Sequence, residues 1–215
     1  MRPDEVALIF DLDNTLLMSN IDFQAVRHRL IDLLEAAGAA DRPRDALLPL
    51  SLPELVALGA AARASLAEAM WTVIGQAELE GLAGATPAGP APAVLEALRT
   101  RGFQLAVLTN NAGGMLTEVL AAFGLAQYFR VVATRDSVSA LKPAPDGIRY
   151  VLAHLSGARR AYMIGDAWID ARAAEAAGVK FVGVGSRRDA VEARGIPIWA
   201  WVDDLSGLLD LDFEG

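Results

Sequence analysis

The chain has 215 residues, 53% of them hydrophobic, a formal net charge of −8 and no cysteine. The acidic balance argues against a nucleic-acid partner, because neutralising phosphates needs a basic surface. The lack of cysteine excludes disulfides and thiolate sites. Mean hydropathy is +0.32, yet no apolar run approaches the roughly 20 residues of a membrane span, so a membrane partner is not expected.

Residues 6–10, Val-Ala-Leu-Ile-Phe, form a short unbroken apolar run, the signature of a strand buried on both faces of a parallel sheet. It leads directly into Asp11-Leu12-Asp13-Asn14-Thr15. Residues i and i+2 of an extended chain point to one side, so Asp11 and Asp13 can address a single site. Two such acids repel unless a cation or a bound proton relieves them. One reading is therefore a divalent-metal site with a carboxylate left to act as nucleophile or proton donor. The other is a strand-end turn in which Asp13 or Thr15 caps a following helix. The strand begins close to Met1, which leaves no room for a signal peptide ahead of it and makes a cytoplasmic location the expectation.

Apolar residues at Phe23, Val26, Leu30, Ile31, Leu33 and Leu34 have helical spacing over 21–37, and Gly38 supplies a stop. Residues 41–53 are broken by Pro43, Pro49 and Pro53 and read as a connector with at most a short helix. Residues 53–82 are again helical, and Gly59 and Gly75 are the places where the run is expected to divide. A proline- and glycine-rich stretch over 84–92 then reads as a hinge followed by a proline-initiated helix over 93–100. Residues 20–85 thus form a helical block inside a strand–helix alternation.

The alternation resumes with strands at 104–108, 130–134, 161–164 and 181–184, and a last short one at 198–202. Helices at 115–123, 145–155 and 169–177 separate the first four of them. Strands alternating with helices of this length imply parallel pairing with right-handed crossovers. The expected fold is α/β, a doubly wound Rossmann-like parallel sheet formed by 1–19 and 86–215, with an all-helical unit of 20–85 inserted after the first strand.

Further polar groups fall at strand ends or in the loops leaving them. Thr109 and Asn110 follow the run Leu105-Ala106-Val107-Leu108. The Thr109 hydroxyl either caps the next helix or, with following backbone N–H groups, grips an anion. Lys142 sits between Leu141 and Pro143, close to Pro145, so its backbone is restrained; it reads either as a solvated surface charge or as a functional cation. Asp166 ends the run 161–165, and Asp170 follows four residues later at a helix start. Both acids either favour the positive helix terminus or add oxygen ligands for Mg²⁺. Trp168 between them reads as packing.

In order and spacing, these four motifs resemble those of the haloacid dehalogenase superfamily, specifically its helical-cap, phosphoglycolate phosphatase-like branch, along essentially the whole chain. The resemblance implies that Asp11 is a nucleophile that forms an aspartyl-phosphate and also ligates Mg²⁺. It implies that Asp13 protonates the leaving oxygen, later activates water, and touches the metal through its carbonyl. Thr109, Asn110 and Lys142 would bind the phosphoryl group, Asp166 would ligate Mg²⁺, and Asp170 would support that shell. Dehalogenases of the family lack the second acid of the first motif, so Asp13 points to phosphate chemistry. The implied activity is hydrolysis of a small phosphorylated metabolite by a monomer or homodimer, with a sugar phosphomutase as the alternative. A non-enzymatic phosphoacceptor module is more remote, because its phosphorylated aspartate follows a middle strand and here that strand ends in Thr109. Asn14 stands where many members carry glycine. Arg27, His28 and Arg63 of the insertion read as easily as surface residues as holders of a sugar phosphate, and Phe23, Met70 and Trp71 read as helix core or as pocket wall.

Overall fold

A computed structural model describes residues 2–215. Chain contacts divide it into two compact units, Met1–Ser19 with Ala85–Gly215, and Asn20–Gly84. Among the described residues no helix is long and apolar enough to cross a membrane.

In chain order the elements are β1 (Val6–Phe10), β2 (Leu17–Met18), α1 (Phe23–Ala36), α2 (Arg44–Leu47), α3 (Leu52–Ala62), α4 (Ala64–Ala83), β3 (Thr86–Pro87), α5 (Ala91–Thr100), β4 (Gln104–Leu108), α6 (Gly113–Ala122), β5 (Val131–Ala133), α7 (Asp146–His154), β6 (Arg160–Gly165), α8 (Trp168–Ala177), β7 (Lys180–Val184), α9 (Arg188–Glu192) and β8 (Ala200–Val202). The first unit is built on a six-stranded sheet in the order β5-β4-β1-β6-β7-β8, and every pairing in it is parallel. β1 is completely buried, which accounts for its unbroken apolar sequence. Its side chains alternate between faces, and Ala7 and Ile9 join Ile148 and Val151 of α7 and Ala171 and Ala174 of α8 in one core cluster. The chain runs from β1 to β4 and β5 on one side, then returns to β6, β7 and β8 on the other. That reversal makes the carboxyl end of β1 a topological switch point, where open α/β sheets bind ligands.

The second unit is helical throughout its regular structure. Asp22 caps α1 by accepting from the Ala25 N–H at 2.9 Å. Val26, Leu30, Ile31 and Leu34 of α1 are buried with Leu55 and Val56 of α3 and Leu66, Met70 and Ile74 of α4. Ser51 and Glu54 form a capping box at the start of α3. The long helical run breaks at Arg63, whose backbone is extended, and not at Gly59 or Gly75. A Cβ on Gly59 would lie 2.6 Å from the Met70 sulfur, so this glycine admits the close approach of α3 and α4 and does not interrupt a helix. Two-residue strands β2 and β3 pair antiparallel where the chain leaves and re-enters the first unit. They are too short to leave a periodic sequence signal. The last strand is shorter than expected, Ala200–Val202, and α9 is an additional helix.

Candidate active site

β1 delivers its acids through a tight turn. The Asp11 N–H still donates to the Ile164 carbonyl of β6 at 2.8 Å, which holds the strand end in register. Beyond it the Leu12 carbonyl accepts from the N–H groups of Leu16 and Leu17, both at 2.9 Å, and the Asn14 N–H donates to the Leu17 carbonyl at 2.7 Å. Asn14 takes a φ of 59°, a left-handed conformation that asparagine tolerates better than most residues. The Asp-Leu-Asp-Asn-Thr stretch is therefore a turn, but neither Asp13 nor Thr15 caps a helix: the next helix, α1, is capped by Asp22.

Asp11, Asp13, Lys142, Asp166 and Asp170 come together in the first unit, all buried. Lys142 is the hub. Its Nζ lies 2.5 Å from Asp11 Oδ1, 2.6 Å from Asp170 Oδ1 and 3.0 Å from the Leu108 carbonyl. An ammonium has three donors, and all three are spent on these acceptors. Burial alone would lower the Lys142 pKa, but the negative charges of Asp11 and Asp170 outweigh it and hold the ammonium firmly protonated. The Lys142 backbone is held in turn by the Asn110 side chain, whose Oδ1 accepts from the Lys142 N–H at 3.0 Å and whose Nδ2 donates to its carbonyl at 2.9 Å. Asn110 is thus turned onto the loop that carries the lysine. Thr109 does not cap α6, whose N-cap is Ala112. Its Oγ1 accepts from the Asn111 N–H at 3.1 Å, which leaves the hydroxyl proton to donate elsewhere.

Asn111 is a residue that the sequence reading passed over. Its Nδ2 donates to Asp13 Oδ2 at 2.7 Å, while Asp13 Oδ1 is buried without a hydrogen-bond partner. Burial, followed by the neighbouring charge of Asp11, pushes the Asp13 pKa up to about 6. The signal that could have found Asn111 is its place two residues beyond a strand end already rich in polar groups.

Gly165 brings α8 close to β6. A Cβ there would lie 2.6 Å from Asp170 Cγ, so only glycine lets the Asp170 carboxylate pack against the strand end. Both Asp170 oxygens are engaged, Oδ1 by Lys142 and Oδ2 by the Ala167 N–H at 3.2 Å. Asp166 pairs with Arg187 in the loop after β7, whose Nη1 lies 2.9 Å from Oδ2. Burial raises the pKa of both Asp166 and Asp170, reinforced at Asp166 by the charges of Asp11 and Asp170. One oxygen from each of Asp11, Asp166 and Asp170 lies within 4.8 Å of the others. Such an all-oxygen set with excess negative charge fits a hard divalent cation. Both Asp170 oxygens are already committed, whereas Asp11 and Asp166 each pair through one oxygen, with Lys142 and Arg187 respectively.

The other singled-out residues go elsewhere. Trp168 packs against the sheet core with the Arg194 guanidinium 4.6 Å above its ring. Met70 is core in the helical unit, Trp71 packs against that core, and Phe23 is half-buried at the start of α1. Arg27 donates to the Leu50 carbonyl, His28 meets Arg44, and Arg63 is exposed.

A doubly wound parallel sheet with buried acids at its switch point and a helical insertion after the first strand defines a ligand-binding class of α/β proteins. The family model for haloacid dehalogenase-like hydrolases matches residues 8–184. The chain belongs to that family. It is 37% identical over 86 residues to a plasmid-encoded phosphoglycolate phosphatase of Cupriavidus necator, a match spanning 40% of this chain and 37% of that protein. It is 30% identical over 212 residues to a phosphoglycolate phosphatase of Rhodobacter capsulatus, which covers 94% of each. Its fold is shared with a crystal structure of a putative phosphoglycolate phosphatase from Lactobacillus plantarum, at a TM-score of 0.74 and 19% identity over 99% of this chain and 100% of that one.

Proposed function

We propose that this protein is a Mg²⁺-dependent phosphomonoester hydrolase that acts on a small phosphorylated metabolite through an aspartyl-phosphate. The observation that carries the reading is the paired state of its first two acids. Asp11 has one oxygen held by Lys142, while Asp13, two residues on, is buried with a raised pKa and one unpartnered oxygen. The first arrangement suits a nucleophile and the second a proton carrier. The family's phosphoglycolate phosphatases make phosphoglycolate the first substrate to try.

In this reading the Asp11 oxygen not bound by Lys142 attacks phosphorus in line with the ester oxygen. The P–O bond to the alcohol breaks, and the alcohol leaves with the proton of Asp13. Asp13, now a carboxylate, takes a proton from water as that water attacks the aspartyl-phosphate, releasing phosphate and restoring Asp11. Thr109 donates its hydroxyl proton to a phosphoryl oxygen. Lys142 acts through its charge, pairing with Asp11 and orienting it, and Asn110 fixes the loop that carries it. Asp11 and Asp166, with the Asp13 carbonyl, would hold Mg²⁺, and Asp170 would orient the set. Bound there, the ion neutralises charge that builds on the phosphoryl oxygens. The helical unit serves as a lid that moves about the connections near residues 19–20 and 85–86. A phosphate mimic that left protease cleavage at both connections unchanged would count against the lid.

The central test is turnover of a generic aryl phosphate and of phosphoglycolate, with Mg²⁺ and with a chelator. Turnover is expected only with the metal, and Asp11→Asn should lower kcat by at least roughly 10³-fold. Metal-independent turnover retained in Asp11→Asn would overturn the mechanism.

A further inference from the structure

Four buried acids meet in the first unit, and each is partnered. Lys142 serves Asp11 and Asp170, and Asn111 serves Asp13. These partners are themselves buried. The partner of Asp166 is different. Arg187 Nη1 lies 2.9 Å from Asp166 Oδ2, yet the arginine side chain is 54% exposed while that of Asp166 is 9% exposed. The Arg187 loop is anchored at Gly185, whose N–H donates to the Val202 carbonyl at 3.0 Å and whose carbonyl accepts from Trp201 Nε1 at 2.7 Å. The backbone two residues before Arg187 is therefore fixed, while its guanidinium reaches the acid from the solvent side.

Arg187 also lines a cleft of about 410 Å³ together with Asn14, Ser186, Asp203 and Asp204. Asp203 and Asp204 are exposed. The guanidinium thus has room to leave Asp166 and other carboxylates to turn toward. A cation that serves a metal ligand from outside competes with the metal for the same charge.

We infer that Arg187 is a built-in counter-ion for Asp166. It neutralises the carboxylate in the metal-free protein and is displaced into the cleft when Mg²⁺ binds, so it sets the Mg²⁺ affinity of the site. The inference rests on the reading of Asp166 as a metal ligand. The exchange spares the metal-free protein an uncompensated buried carboxylate, and in return it weakens binding of the ion by like-charge opposition.

The test is calorimetric titration of the full-length protein with MgCl₂, accompanied by thermal melts with and without the ion at pH 8. Arg187→Gln is expected to lower the Mg²⁺ Kd about three- to tenfold, and Arg187→Lys to fall between it and wild type. The gap between Arg187→Gln and wild type should shrink at high salt. Without Mg²⁺, Arg187→Gln should melt below wild type; with saturating Mg²⁺ the two should converge. An unchanged or weaker Mg²⁺ affinity in Arg187→Gln overturns the inference. So does a stability loss of equal size with and without the ion, which would make Arg187 a structural residue only. Asp166→Asn separates the two levels. If it binds Mg²⁺ as wild type does, the metal assignment fails and the counter-ion role with it. If it loses Mg²⁺ while Arg187→Gln is unaltered, only the counter-ion role falls.

Discussion

The two units of the chain bury different chemistry. The sheet unit buries Asp11, Asp13, Thr15, Gln104, Thr109, Asn111, Thr134, Lys142, Asp166 and Asp170 among its apolar core. In the helical unit the buried polar side chains among the described residues are Ser51, half of a capping box, and Glu78. The helical unit is thus held mainly by hydrocarbon, as in the cluster of Leu30, Leu34, Leu55 and Met70, and packing of that kind is indifferent to pH. The sheet unit carries a concentrated charge problem that folding alone would not favour. Buried acids persist only where each is partnered, and here the partners are a lysine whose donors are all used, the buried Asn111 amide and a half-exposed arginine. Residues that cost stability in this way cluster where a site needs them.

Removing the hub should break this contrast most sharply. Lys142→Ala leaves Asp11 and Asp170 buried with no cation between them, and should cost roughly 3–5 kcal/mol of stability at pH 8. Urea unfolding should show that loss shrinking at pH 5, where Asp170, whose pKa burial raises, takes up a proton. Leu30→Ala in the helical unit should also cost about 2–5 kcal/mol through its cavity, but by the same amount at both pH values. A pH-independent loss in Lys142→Ala would refute the electrostatic account.

A smaller effect should appear in the unmodified protein. Asp13 is raised to about 6, and Asp166 and Asp170 are raised by burial. An acid whose pKa is higher folded than unfolded holds its proton longer in the native state, so stability falls as pH rises from the unfolded value near 4 through the folded value. Thermal melts of the chelated protein should therefore show stability declining between about pH 5 and pH 8. Stabilisation by Mg²⁺ should grow over the same range, because the ion binds the deprotonated acids. A melting temperature that is flat across this window with chelator would contradict the raised values.

The smallest effect belongs to the surface of the helical unit. Arg44 Nη1 lies 2.8 Å from Asp32 and 2.7 Å from Glu35, but these side chains are largely solvated. Arg44→Ala should leave urea unfolding nearly unchanged, and a loss as large as that of Leu30→Ala would mean that the helical unit also depends on charge.

Much of this contrast was legible in the sequence. Residues 6–10 and 104–108 read as buried strands because their runs are unbroken and apolar, and both form with those bounds. Where reading stopped short, the missing information was non-local. Gly59 was expected to weaken a helix but is the point where α4 comes close to α3, a contact that only packing reveals. The Asn110 side chain holds the Lys142 backbone across a separation of 32 residues, a pairing that no local pattern announces. Asn111 and Arg187 stand in unremarkable polar stretches, and nothing local distinguishes them from solvated loop residues.

By itself, then, the sequence determined the strand–helix alternation, the helical interruption and the acids at strand ends, because hydrophobic period and capping act within a few residues. Only the tertiary structure decided which partner each acid receives. Lys142 reaches Asp11 from 131 positions away, and Arg187 meets Asp166 through a loop on the next strand. Those pairings depend on strand order, register and loop anchoring, and on the requirement that every buried charge find its counterpart.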